Sequence, residues 1–169
     1  MGTFGTGPFD NDTALDLKDH LAAIPEMTER CEVLTSAMKR LRACDPNLSS
    51  PAEVSWQVLE EGVAACAVIV DKLHGTYLYL PEAEDDEDLS LDMVPRIDMD
   101  LARVALQAMF TALRLAEEPK ISSSWMDRQL QEFYAEDLSQ LFRKLGEGIS
   151  LLEGEEISRN REISTKEKK

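Results

Sequence analysis

The nine residues GVAACAVIV, positions 62–70, offer no polar side. Wound as a helix they are apolar in every direction, so whatever fold forms must surround them. A lipid bilayer is not the surrounding medium, because no apolar run in the chain approaches the roughly 18 residues that a membrane span needs. The remaining medium is the protein itself. The stretch therefore predicts a central helix packed on all sides by other helices of the same chain. Its boundaries are marked as well. Ser50-Pro51-Ala52-Glu53 has the form of a capping box with proline at the first helical position, and Gly75 follows His74 where a helix end favours glycine. Gly62 and the alanines would let neighbouring helices come close.

The rest of the chain supplies candidates for those neighbours. Leu17, Leu21 and Ile24 recur at helical spacing and predict a helix over about 11–23, closed by Pro25. Met27, Cys31, Leu34, Met38 and Leu41 step by four, three, four and three, which predicts a helix over about 26–44 with a single apolar face, followed by a turn at residues 45–47. Asp98 can cap a helix over about 98–117 that buries Leu101, Val104, Ala105, Ala108, Met109, Ala112 and Leu113 and stops at Pro119. A last helix runs from the serines at 122–124 to about 152, with Leu130, Phe133, Tyr134, Leu138, Leu141, Leu145 and Ile149 inward and GEGIS (146–150) as a place to fray. TYLYL (76–80) reads as a short extended piece laid on the bundle, with no partner strand in view. The fold class is all-α, an irregular bundle of about five helices. Residues 1–152 form one helical domain, and 153–169 form a charged tail of frayed helix or disorder.

The charge distribution narrows the partner. The net charge is −15, and −11 of it falls in residues 51–100. Its centre is the loop 82–92, with seven acids (Glu82, Glu84, Asp85, Asp86, Glu87, Asp88 and Asp92) and no base. Such a surface repels nucleic-acid phosphates and attracts a basic protein. The bland alternative is a solvated linker. Cys31, Cys44 and Cys66 are odd in number and lack CxxC spacing, so they read as small buried hydrophobes rather than as a disulfide framework or a zinc site. His20 falls on the polar side of its helix and His74 in the last turn of its own, both structural or surface positions. Glu60 and Glu61 are adjacent, so they point to different faces and make no carboxylate pair by themselves. No nucleophile, metal or phosphate-loop motif is present. Trp56 and Trp125, near helix ends, read as lids over the core or as interface anchors.

The opening GTFGTGPFDNDTALD is the most specific stretch. Gly2, Gly5 and Gly7 permit turns, Pro8 stiffens the approach to the first helix, and Phe4 and Phe9 can pin the segment to the bundle. With Asp10 as the N-cap, Phe9 and Ala14 take the positions of a hydrophobic staple. Asp10, Asp12 and Asp16 resemble half of a calcium loop, but Leu15 and Leu21 stand where such a loop needs glycine and glutamate. Phe4, Gly5, Gly7, Pro8, Phe9, Asp10, Asn11 and Asp12 thus read as a structural clasp, with a pocket built on Asp10, Asn11 and Asp12 as the rival. The stretch running into GPFDND resembles the start of the bacterial domain-of-unknown-function family 4259. That resemblance implies a small helical cytoplasmic protein and implies no activity.

Three functions follow as expectations. The first is a non-catalytic module that binds or neutralises a basic protein through the acidic loop, in the manner of an immunity protein or antitoxin. The second is a structural or regulatory homo-oligomer, using the 27/31/34/38/41 stripe or the tryptophans. The third is a metal-dependent enzyme built on the N-terminal aspartates. No cofactor, nucleic acid or membrane is expected.

Overall fold

A computed structural model describes residues 7–82, 88–117 and 128–166, and the side chains of 7–82, 88–117 and 134–158. Among the described residues the fold is all-α. It comprises α1 (Asp12–Ala23), α2 (Met27–Ala43), α3 (Trp56–His74), α4 (Met99–Glu117) and α5 (Arg128–Lys166), with a single 3-10 turn at Leu91–Met93.

α3 is the centre. It packs against α1, α2, α4 and α5, and every residue from Gly62 to Asp71 is buried. The all-round apolar pattern thus becomes all-round burial, each large aliphatic side chain contributing about 1.5–3 kcal/mol. Gly62 allows the approach of α2: a Cβ there would lie 2.6 Å from Leu41 Cβ. One turn further along the same side of α3, Cys66 donates its thiol proton to the Ala105 carbonyl of α4, and burial pushes that thiol far above its ordinary range. Gly75 closes α3 in the left-handed conformation, at φ 65°.

The start of α3 differs from the capping-box expectation. The cap is Ser55, whose hydroxyl accepts the Val58 amide at 3.2 Å, and residues 51–55 are not helical. The Ala52 amide donates to the Ala43 carbonyl (2.7 Å) and the Cys44 thiol to that of Glu53 (3.6 Å). These bonds strap 52–53 to the end of α2, so the helix begins only beyond them.

α2 also departs from its stripe. Leu34, Met38 and Leu41 are buried, but Met27 is exposed and Cys31 only half-buried. Arg30 takes the inner position of the first turns instead. Its guanidinium donates to the carbonyls of Leu21 (3.0 Å) and Met93 (2.9 Å), a polar bridge where an apolar contact is expected from spacing.

Asp98 caps α4, accepting the Leu101 amide at 2.8 Å. The beginning of α5, with Pro119, the serines 122–124 and Trp125, lies outside the described residues, as do the side chains of Leu130 and Phe133. Tyr134, Leu138, Leu141 and Leu145 are buried. GEGIS does not break the helix, which continues to Lys166. Gly148 is where α5 meets the end of α3, since a Cβ there would lie 2.9 Å from Leu73 Cβ. His74 donates from Nε2 to the Lys144 carbonyl at 2.9 Å and so ties the same two helices. No helix among the described residues is long and apolar enough to cross a membrane.

Candidate functional site

The N-terminal motif forms a tight turn and a helix cap. Phe4 and Gly5 lie outside the described residues. Gly7 and Asp10 bond each other twice: the Asp10 amide donates to the Gly7 carbonyl (3.1 Å), and the Gly7 amide to the Asp10 carboxylate (2.8 Å). The carboxylate sits so close that a Cβ on Gly7 would lie 2.7 Å from Asp10 Oδ2. Asp10 is therefore not the helix cap, because its side chain is turned back onto the motif. Asn11 is the cap, its Oδ1 accepting the Ala14 amide at 2.8 Å. This moves the register by one, so Phe9 and Ala14 do not occupy staple positions, although both are buried. Pro8 is half-buried, and Asp12 is the exposed first residue of α1.

The acids of α1 share one outward face: Asp12, Asp16 and Asp19 are exposed, while Ala14, Leu17 and Leu21 face the core. The described part of the acidic loop lies beside them. Lys18 Nζ reaches Asp88 Oδ1 at 3.0 Å, and its hydrogen bond with Asp88 raises the Lys18 pKa against the cost of burial. Arg30 fastens Met93 to the end of α1. Lys72 donates to the Leu91 carbonyl (2.7 Å), and the Leu91 amide donates to the Tyr77 hydroxyl (3.2 Å). Residues 88–93 are thus held on the bundle rather than left as a free linker. Glu82 and Asp92 are exposed, Asp88 is half-buried, and Glu84, Asp85, Asp86 and Glu87 lie outside the described residues.

Two polar sites carry no motif. The first is Glu60, which is only 4% exposed at the contact of α1 and α3. Thr13 and Trp56 hydrogen-bond its side chain, but burial is the larger effect and raises its pKa, with the negative charge of Asp12 adding to the rise. The Trp56 ring is half-buried and lies 5.7 Å from the ring of Tyr134 on α5. The Tyr134 hydroxyl is buried without a hydrogen-bond partner. The second is Asp71, fully buried, whose carboxylate receives the amides of Leu78, Tyr79 and Leu80. Burial raises its pKa and the three amides oppose the rise.

Both acids carry a faint signal in the sequence. Glu60 precedes the all-apolar run in a helix already marked as enclosed. Asp71 follows that run near a helix C-terminus, where the helix dipole disfavours an acid unless a specific partner compensates. Among the described residues no three His, Cys, Asp or Glu side chains gather as a metal site.

A family model described as Domain of unknown function (DUF4259) matches residues 2–137. No curated protein and no solved structure matches the chain.

Proposed function

We propose, for a chain that belongs to the DUF4259 family of domains of unknown function, a role as a cytoplasmic binding module for a basic protein. One observation carries this reading: the Lys18–Asp88 ion pair brings the acidic loop against α1. Two acidic stretches some seventy residues apart in sequence then contribute to one surface, with Asp12, Asp16 and Asp19 from the helix and Asp92 from the anchored segment all exposed. Lys18 offsets only part of that charge. A face of this kind speeds encounter with a cationic partner, and the effect weakens as salt screens it.

The test compares the intact chain with an Asp16→Asn, Asp19→Asn, Asp92→Asn variant as baits in lysate of the native organism, at low and moderate salt. The reading expects a basic protein that the intact chain retains at low salt and that the variant loses. Equal capture by both baits would overturn it.

A further inference from the structure

A cavity of about 150 Å³ opens where the end of α3, the approach to α4 and the outer part of α5 meet. Ile97 and Gly148 are buried in its lining, and Leu73 and Leu152 form half-buried walls. Arg96 and Leu151 are exposed beside them. These walls are held in place. Gly148 brings α5 onto α3, since a Cβ there would lie 2.9 Å from Leu73 Cβ, and His74 bonds the Lys144 carbonyl at 2.9 Å. Arg96 stands between two buried residues, Pro95 and Ile97, which pin its backbone on both sides.

The charge of this lining runs against that of the chain. The sequence has 33 acids and 18 bases, yet among the described residues neither Lys72 nor Arg96, which both line the cavity, forms an ion pair. The half-buried Lys72 ammonium donates to a neutral acceptor, the Leu91 carbonyl at 2.7 Å, which leaves two N–H donors and its charge unanswered. Glu155 is the one acid in the lining, so two bases against it leave a single positive charge in excess. A lone surface arginine would be an ordinary solvated charge. Here it shares aliphatic walls with a second cation.

Volume, walls and charge together select the ligand. A cavity of this size accommodates about one benzene ring, or about six heavy atoms. Four aliphatic side chains favour a hydrocarbon tail over a hydrated inorganic anion. A guanidinium matches a carboxylate with two parallel N–H bonds, and an ammonium adds a point charge. We infer that this cavity binds a small aliphatic monocarboxylate of about five carbons, with its tail among Leu73, Ile97, Leu151 and Leu152 and its carboxylate at Lys72 and Arg96. The inference goes beyond the basic-protein reading and does not rest on it.

The experiment titrates the full chain with sodium 3-methylbutanoate at neutral pH and constant ionic strength, and follows backbone amide resonances by NMR. The site predicts saturable shifts centred on Leu73, Ile97 and Gly148. Affinity should fall about tenfold or more in Arg96→Gln and several-fold in Leu151→Ser. Both side chains are exposed, so both variants keep the fold, as unchanged melting temperatures will show. Arg40→Gln, which removes a cation paired with Glu61 towards the other end of α3, should bind like the native chain. Acetate and inorganic phosphate, which have the charge without the tail, and 3-methylbutanamide, which has the tail without the charge, should each bind far more weakly. N-acetyl-leucine carries the same carboxylate and branched tail on a larger frame and should also bind more weakly. Tighter binding of N-acetyl-leucine would overturn the free acid in favour of a peptide chain end. Shifts that do not saturate, that centre elsewhere, or that are equal in Arg96→Gln and the native chain overturn the site itself. No partner protein enters this titration, so its failure leaves the acidic-face reading standing, and failure of the lysate comparison leaves this site standing.

Discussion

The Asp71 carboxylate accepts the Leu80 amide at 2.7 Å, nine residues further along the chain. The same carboxylate takes the amides of Leu78 and Tyr79 at 3.1 Å, so one buried side chain ends α3 and fixes the path of TYLYL. Leu80 is thereby placed in the core, while Tyr77 and Leu78 face outward. Asp71→Ala leaves three amides without their acceptor, two of them at the edge of the core. The expected cost is about 3 kcal/mol or more. Urea unfolding should show a lower midpoint with an unchanged slope, the signature of lost stability rather than of a changed unfolded state.

The glycines divide into two kinds. Gly62 faces Leu41, where an added Cβ would lie within 2.7 Å of both Leu41 Cβ and Cδ2, and backbone and core leave little room to yield. Gly62→Ala should destabilise by about 1–3 kcal/mol, the usual cost of overpacking. Gly146 lies inside α5 with nothing within 4 Å of the added carbon. Gly146→Ala should stabilise by about 0.5–1 kcal/mol through helix propensity. Thermal melts of the two variants should therefore move in opposite directions, and a common direction would contradict the packing described at Gly62.

The all-α class and the central place of α3 were legible because each rests on a pattern that only one arrangement satisfies. GVAACAVIV has no face to spare for water, and Asp98 and Gly75 are end signals with a direct stereochemical cause. The misplaced features share a different cause. Ser50-Pro51-Ala52-Glu53 is a sound cap locally, but the bond from Ala52 to Ala43 overrides it, and no local rule reads a contact nine residues back. Met27 fits the α2 stripe by spacing, yet the long reach of Arg30 to Leu21 and Met93 gives the inner position to a charged residue. Asp10 and Asn11 are equal as cap candidates in sequence, and the turn with Gly7 decides between them. Trp56 and Tyr134 meet only through the packing of α3 on α5, so their ring contact leaves almost no trace in either segment.

Glu60 should set a pH dependence of stability. Burial raises its pKa in the folded chain, and Thr13 and Trp56 only partly counter that rise. The folded state therefore holds a proton at Glu60 over a pH range in which the unfolded chain has released it. Stability linked to this group is fully present below the ordinary glutamate range and is lost as pH rises through the elevated folded value. Glu60→Gln removes the ionisation while keeping an acceptor for Thr13 and Trp56. Melting temperatures measured across pH 4–8 should fall for the native chain on the alkaline side of the glutamate range and fall less for Glu60→Gln. A steeper decline in the variant would show that the carboxylate is favoured where it sits.

Asn11 and Asp12 occupy adjacent places and should respond differently to the same change. The Asn11 side chain is buried and satisfies the Ala14 amide, one of the four that a helix start leaves open. Asn11→Ala should cost about 1 kcal/mol. Asp12 is exposed and helps α1 only by standing near the positive end of the helix dipole, a small effect that salt screens. Asp12→Ala should move the melting temperature less than Asn11→Ala does. Melts of both variants at low and high salt separate the cap from the dipole: the Asp12 effect should shrink as salt screens it and the Asn11 effect should persist, and a larger, salt-independent loss in Asp12→Ala would assign the cap to Asp12 instead.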